Sequence, residues 1–211
     1  MGKKRKFQQP GNAEQVSGEQ RSFVFLGGNL GLDLVNTEVM VRGKRTDLLQ
    51  TPQDASQWWE MARQAHPDLS QEGEQVRWDE HQLRALHALR TILRNLFEDI
   101  AVRCRVDNMA VRELNAFLRE GYYELEVSPE GALSAIYRTR QDRRASAVVT
   151  IAFAAFRLLT EHDLRRLRIC RNDRCILLFY DTTRSATRHW CSVACANRAR
   201  SIQNYRRAKG K

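Results

Sequence analysis

Four of the five cysteines stand within 26 residues of one another: Cys170 and Cys175, then Cys191 and Cys195 after fifteen intervening residues. Clustered cysteine pairs in a reducing compartment favour a metal over disulfides. Four thiolates suit Zn2+, a borderline-soft ion that takes four ligands at the corners of a tetrahedron. The spacing therefore points to one zinc ion per chain, held by Cys170, Cys175, Cys191 and Cys195. A disulfide pair is the alternative that spacing leaves open. Four thiolates and one dication carry −2 together, so a loaded site lowers the local positive charge without abolishing it.

The elements that must position these sulfurs can be read from the intervening residues. "ILLFYDTTRSATRHW", residues 176–190, has an apolar run to Tyr180, a turn-rich Asp-Thr-Thr-Arg-Ser, and a return run to Trp190. This predicts a β-hairpin between the two cysteine pairs. From about Ser192 to Arg207 the chain lacks Gly and Pro and is rich in helix formers, which predicts a helix, with Cys191 and Cys195 at i and i+4 on one of its faces. Knuckle, hairpin and helix in that order make a treble-clef-like zinc finger. At about 100° per residue, Ala199, Ile202 and Arg206 share the metal-facing side of the helix. Asn197, Arg200, Asn204 and Arg207 fall on the outer side. Arg and Asn read guanine and adenine edges in a major groove, and both also hold phosphate. Arg184 and Arg188, before and on the return run, are placed for phosphate. Arg198 lies between the two faces, and its role stays divided between phosphate contact and an ion pair with Asp181.

Charge supports a polyanionic partner. Residues 162–211 carry thirteen Lys/Arg against three Asp, and residues 1–6 add four cations. Residues 7–161 hold 18 basic and 22 acidic side chains, so a mildly acidic body bears a strongly basic C-terminal piece. No apolar run has the length of a membrane span. The N-terminal stretch is basic but has no apolar segment of the secretory type behind it. The expectation is a soluble, cytoplasmic chain, associated with the nucleoid when bound to DNA.

The organisation expected is mainly α with small β elements (α+β). Residues 1–20 read as a disordered basic tail, 21–161 as a multihelical domain with its own core, and 162–211 as the finger. Phe23–Leu26 reads as a short strand, Leu30, Leu34 and Val35 as a small helical face, and "VRGKRTDLL" as a loop. Thr51 and Pro52 open a helix carrying Trp58 and Trp59 into core and rim positions. Apolar residues from Leu83 to Ile100 repeat at helical spacing and predict a long helix over 79–103, followed by another over 107–119. "YYELEVSPEGALSAIYR" reads as a hairpin, and "ASAVVTIAFAAFRLL" as the central buried helix.

Other chemistry-bearing residues carry less. Cys104 between two arginines reads as a small core residue rather than a reactive thiol. His162 and His189 complete no better ligand set than the cysteines. The Gly27–Gly31 stretch matches neither glycine signature of phosphate loops and reads as a turn. Asp33 and Asn36, among apolar residues, are candidates for a small-molecule effector site or for capping of local backbone. No Ser/His/Asp grouping, carboxylate pair or nucleotide loop indicates catalysis, so an enzyme is not expected.

The segment Trp190-Cys191-Ser192-Val193-Ala194-Cys195-Ala196-Asn197-Arg198, with "CRNDRCILLFYDTTRSATRHW" before it, resembles the CGNR zinc finger. "FLGGNLGLDLVNTEV", "TDLLQTPQDASQWW" and the helical region behind them resemble the ABATE domain that commonly precedes that finger. The resemblance spans nearly everything from residue 22 onward. It implies a bacterial stress-induced transcription regulator whose finger binds double-stranded DNA. Ala196 replaces the glycine of the motif's name, and the last ligand pair is one residue closer than the family's pattern. The N-terminal domain would then serve as a sensor of a small-molecule effector or as a homodimerisation unit. Two rivals remain at this stage: an RNA-binding protein, and an enzyme or small-molecule-binding domain with a purely structural finger.

Overall fold

The computed structural model describes residues 23–67, 76, 78–127, 131, 133–139 and 146–209. The basic tail and the Ser-Pro-Glu of the second hairpin's turn lie outside them. Asn29 caps a short helix, α1 (Leu30–Val35), accepting from the Gly31 amide. The hairpin β1 (Glu38–Val41) and β2 (Lys44–Asp47) comes next, where sequence reading expects a loop. Its two-residue turn has Arg42 at φ 51° and Gly43 at φ 81°, the twisted geometry that suits a tight hairpin. The strands are half-exposed and carry no clean apolar alternation, so their periodicity does not announce them.

Helix α2 (Pro52–Ala65) starts at Thr51 with a capping box, in which Thr51 and Asp54 satisfy each other's backbone amides. Both Trp58 and Trp59 are buried. Asp79 caps α3 (Glu80–Arg103), and Asp107 caps α4 (Asn108–Leu118). Then follow the antiparallel pair β3 (Gly121–Val127) and β4 (Leu133–Thr139), and α5 (Ser146–Glu161). A 3-10 turn over Leu164–Arg166 leads into β5 (Leu167–Ile169), which pairs antiparallel with β6 (Leu178–Tyr180). The chain ends in α6 (Val193–Lys209). α1, α3 and α5 pack together, with Leu32, Leu34, Leu89, Leu93, Leu96 and Ile151 fully buried between them. Phe23–Leu26 is not a strand; it approaches β6 where the Tyr180 amide donates to the Gly27 carbonyl at 3.0 Å.

Two arginines on α3 organise the polar side of this core. Arg90 reaches both carboxylate oxygens of Asp47 (2.6 and 2.5 Å) and the Thr37 hydroxyl. Arg94 donates to Glu38 (2.7 Å), to Glu98 and to the Val35 carbonyl. A buried guanidinium must be paired on every side, and here the β1–β2 hairpin supplies the anions. Burial would raise the Asp47 carboxyl, but the Arg90 hydrogen bonds outweigh it and hold it below the usual range. Glu38 is likewise lowered, its desolvation overcome by Arg45, Arg90 and Arg94.

The finger is not appended to this core; it continues it. Leu167 and Leu178 belong to the main core, while Leu177 and Phe179 turn the other way into a second cluster with Cys170, Cys191 and Cys195. The apolar run 176–180 thus serves two cores by strand alternation. The buried Asn36 side chain closes the seam: its Nδ2 donates to the Leu178 carbonyl (2.8 Å), and its Oδ1 accepts from the Leu178 amide (2.9 Å). The independent core expected for residues 21–161 is therefore shared with the strands that follow it.

Two measurements check these supports. Asn36→Ala leaves the Leu178 amide and carbonyl unpaired in a dry seam and should cost about 2–4 kcal/mol in urea denaturation of the zinc-loaded chain. For Asp47, a depressed carboxyl stabilises above its unfolded pKa and loses that contribution as pH falls through the folded one. Asp47→Asn should therefore unfold more easily at neutral pH, with the gap to wild type closing as pH drops below about 4.

Candidate metal centre and nucleic-acid interface

The four sulfurs converge. Cys175 Sγ lies 3.7 Å from Cys191 Sγ, which lies 3.6 Å from Cys195 Sγ, and all four are within 4.8 Å of one another. Zn–S bonds of about 2.3 Å at tetrahedral angles put sulfurs about 3.8 Å apart, whereas a disulfide needs about 2.05 Å. The cysteines are unbridged, and their spacing fits one zinc ion. Hydrogen bonds from Cys175 and Cys191 pull the Cys170 thiol down to about 2. That thiolate in turn pushes Cys175 up to about 12 and raises Cys191 as well. Four adjacent thiolates repel, and a dication is what lets all four ionise together.

Local backbone chemistry presents each ligand. Cys170 follows directly on β5, its amide donating to the Leu177 carbonyl, and the Cys175 amide donates to the Asn172 carbonyl at 2.8 Å. Asn172, buried in the knuckle, accepts from the Arg174 amide and donates to the Cys195 carbonyl, tying the knuckle to α6. Ser192 caps α6 by accepting from the Cys195 amide. The paired strands are β5 and β6, with the first two ligands at their connection. This differs from the hairpin expected between the cysteine pairs, because residues 181–190 form no strand. That return run is held by side chains instead. Buried Asp181 accepts from the Thr183 amide and hydroxyl and from the Arg188 amide. Arg166 donates to the carbonyls of Asp181 and Thr183, and Arg168 to that of Ala186.

These bonds redistribute the residues singled out from sequence. Arg188 turns inward: its guanidinium donates to the carbonyls of Trp190 and Cys191 and lies 4.6 Å above the Phe179 ring. It braces the finger rather than standing ready for phosphate. Asp181 is occupied by Thr183 and the Arg188 amide, not by Arg198, which is exposed on α6. Arg184 is exposed on the loop, and Asn197, Arg200, Asn204 and Arg207 are exposed on α6, with Arg200 donating to Asn197 at 3.2 Å. Ala199 and Ile202 are half-buried on the metal-facing side, and Arg206 pairs loosely with Asp173 at 3.8 Å. His162 and His189 pack edge-on against Tyr180 and Trp190. Cys104 is exposed, in a left-handed C-cap of α3, rather than in the core. Asp33 accepts from the Gly27 amide and lies 2.8 Å from His66; burial raises its carboxyl despite both. With Asn36 bonded to Leu178, the pair named for an effector has its polar atoms engaged within the protein. Sequence reading misses the supporting roles of Asn172, Arg166 and Arg168; the Asn two residues after the first ligand, a residue prone to local turns, is the one signal available.

Comparison with known protein families now places the chain. The ABATE model, described as "Putative stress-induced transcription regulator", matches residues 28–162, and the CGNR zinc finger model matches residues 166–208. The chain belongs to the ABATE family and carries a C-terminal CGNR zinc finger. No curated protein matches it. Among the described residues, no helix is long and apolar enough to cross a membrane.

Metal analysis should give one zinc per chain after chelator-free purification. Cys191→Ser should abolish it and Cys104→Ser should leave it intact. Stripping the metal should melt the finger's small core and the start of α6, seen as a partial loss of helical circular dichroism.

Proposed function

We propose that the chain is a DNA-binding transcription regulator that lays α6 in the major groove of a duplex. The observation that carries this reading is how α6 is held. Of its 17 residues, Cys195 and Ala196 are buried, both in its first turn; beyond them about 20 Å of helix projects, with Ala199 and Ile202 half-buried on its inner side. A projecting helix of this size is marginal alone in water, and this one carries Arg198, Arg200, Arg206, Arg207 and Lys209 with no acidic residue. Such a helix is suited to dock on a polyanion.

In this reading Asn197, Arg200, Asn204 and Arg207 face base edges, while Arg184 and Arg198 meet phosphate. The zinc supplies no chemistry beyond orientation, and no catalytic step is assigned to the chain. Its place of action is the cytoplasm, on the nucleoid. The acidic body, bonded to the finger through Asn36, is where an effector or a second copy would act on DNA affinity.

Selection from a random duplex pool should enrich a defined sequence. Arg200→Ala should then cost about 1–3 kcal/mol and relax preference at one position. Arg184→Ala should weaken all sequences alike and flatten the salt dependence by about one counterion. Arg188→Ala should instead lower the finger's stability and zinc retention. No enrichment, or an Arg200→Ala variant with full affinity, would overturn the reading.

A further inference from the structure

Along the metal-facing side of α6 lies a cleft of about 360 Å³ between the helix, the zinc knuckle and the segment before Cys191. That is at the small end of the range for clefts that take small ligands, about 300–1,000 Å³. Its walls are fixed to one another without the metal as well as through it. The Arg171 amide donates to the His189 carbonyl (2.9 Å), Asn172 donates to the Cys195 carbonyl, and Arg188 holds the Trp190 carbonyl. Half-buried Trp190 and Ile202 supply apolar surface, with His189 edge-on to the indole (85°, centroids 5.6 Å apart) to set its tilt. Gln203 offers an amide able both to donate and to accept. Arg171 and Arg206 stand exposed at the mouth, where Asp173 lies 3.8 Å from Arg206.

An indole beside an aliphatic side chain, with guanidiniums at the mouth and an amide among the lining groups, suits a planar heteroaromatic ring joined to a phosphate. We infer that this cleft binds a nucleoside monophosphate unit. The base stacks on Trp190, Gln203 meets the base edge, and Arg171 takes the phosphate with Arg206, which exchanges its loose pairing with Asp173 for it. The unit could arrive as a free nucleotide or as an unpaired position of a strand. The strand source rests on the nucleic-acid reading of the finger; the free source does not.

Trp58, Trp59 and Trp78 are at most 9% exposed, so a base entering the cleft should quench the fluorescence of Trp190 selectively. The zinc-loaded full chain is titrated with the common nucleoside 5′-monophosphates, the matching nucleosides, inorganic phosphate and a short single-stranded oligothymidylate. The expected result is saturable quenching by a monophosphate about tenfold tighter than by its nucleoside, a preference that Arg171→Gln removes. Anisotropy of a fluorescent nucleotide should show Trp190→Phe binding like wild type and Trp190→Ala about tenfold more weakly, both with zinc in place. Quenching by the oligonucleotide alone supports the strand source; quenching by monophosphates supports the free one. The inference is overturned if neither quenches at about 10 mM, if phosphate alone competes as well as a nucleotide, or if Trp190→Ala binds like wild type. A wild-type chain that binds no duplex yet is quenched by monophosphates defeats the regulator reading and leaves this one standing.

Discussion

Four thiolates can share one dication only when sulfurs separated in the chain come within about 4 Å of one another, and the last quarter of this protein is arranged around that requirement. Cys170 follows directly on β5, a five-residue knuckle delivers Cys175, Cys191 stands two residues ahead of α6, and the first turn of α6 delivers Cys195. None of these segments has a core of its own. The residues packed around the sulfurs, chiefly Leu177 and Phe179, make a cluster too small to fold without metal. Asn172 and Arg188 then do what a longer hydrophobic core would otherwise do: they join knuckle, loop and helix through backbone carbonyls.

The same requirement explains why the finger leans on the body. β6 has one face for each side of the seam, Leu178 towards α1 and α3, Phe179 towards the metal. On the edge of that strand where a third strand would otherwise stand, Asn36 satisfies the Leu178 amide and carbonyl, and the Gly27 carbonyl accepts from the Tyr180 amide. Arg94 adds a long contact from α3 to the Ile176 carbonyl at 3.5 Å, next to the second zinc ligand. A disturbance of α1 or of the β1–β2 hairpin therefore has a short physical route to the knuckle. That is a route two-way coupling between an effector and α6 would use, through packed and hydrogen-bonded groups rather than through a flexible linker.

Much of this was open to a reader of the sequence. Caps at Thr51, Asp79 and Asp107, the apolar repeat from Leu83 to Ile100, and the ligand spacing each depend on interactions within a few residues. The β1–β2 hairpin escaped because its strands lack apolar alternation and its turn uses Arg42 rather than Asn at a positive φ. The misplaced hairpin in the finger has a related cause. The apolar run 176–180 says that a strand is present but not which strand pairs with it, and β5 is only three residues long.

Sequence alone determined the ligand set, the sign and location of the charge, and the helix that carries it. All three follow from residue identity and from spacings along one chain segment. Tertiary structure decided which charges are available. Arg188 and Arg184 are equivalent as letters, yet one is turned inward onto the Phe179 ring and two carbonyls while the other faces solvent. Asp33 and Asn36 are likewise a polar pair in sequence, whereas in space their hydrogen bonds are already made. A guanidinium or an amide is free to recognise a partner only where the fold has left it none, and that depends on carbonyls and rings brought close from elsewhere in the chain.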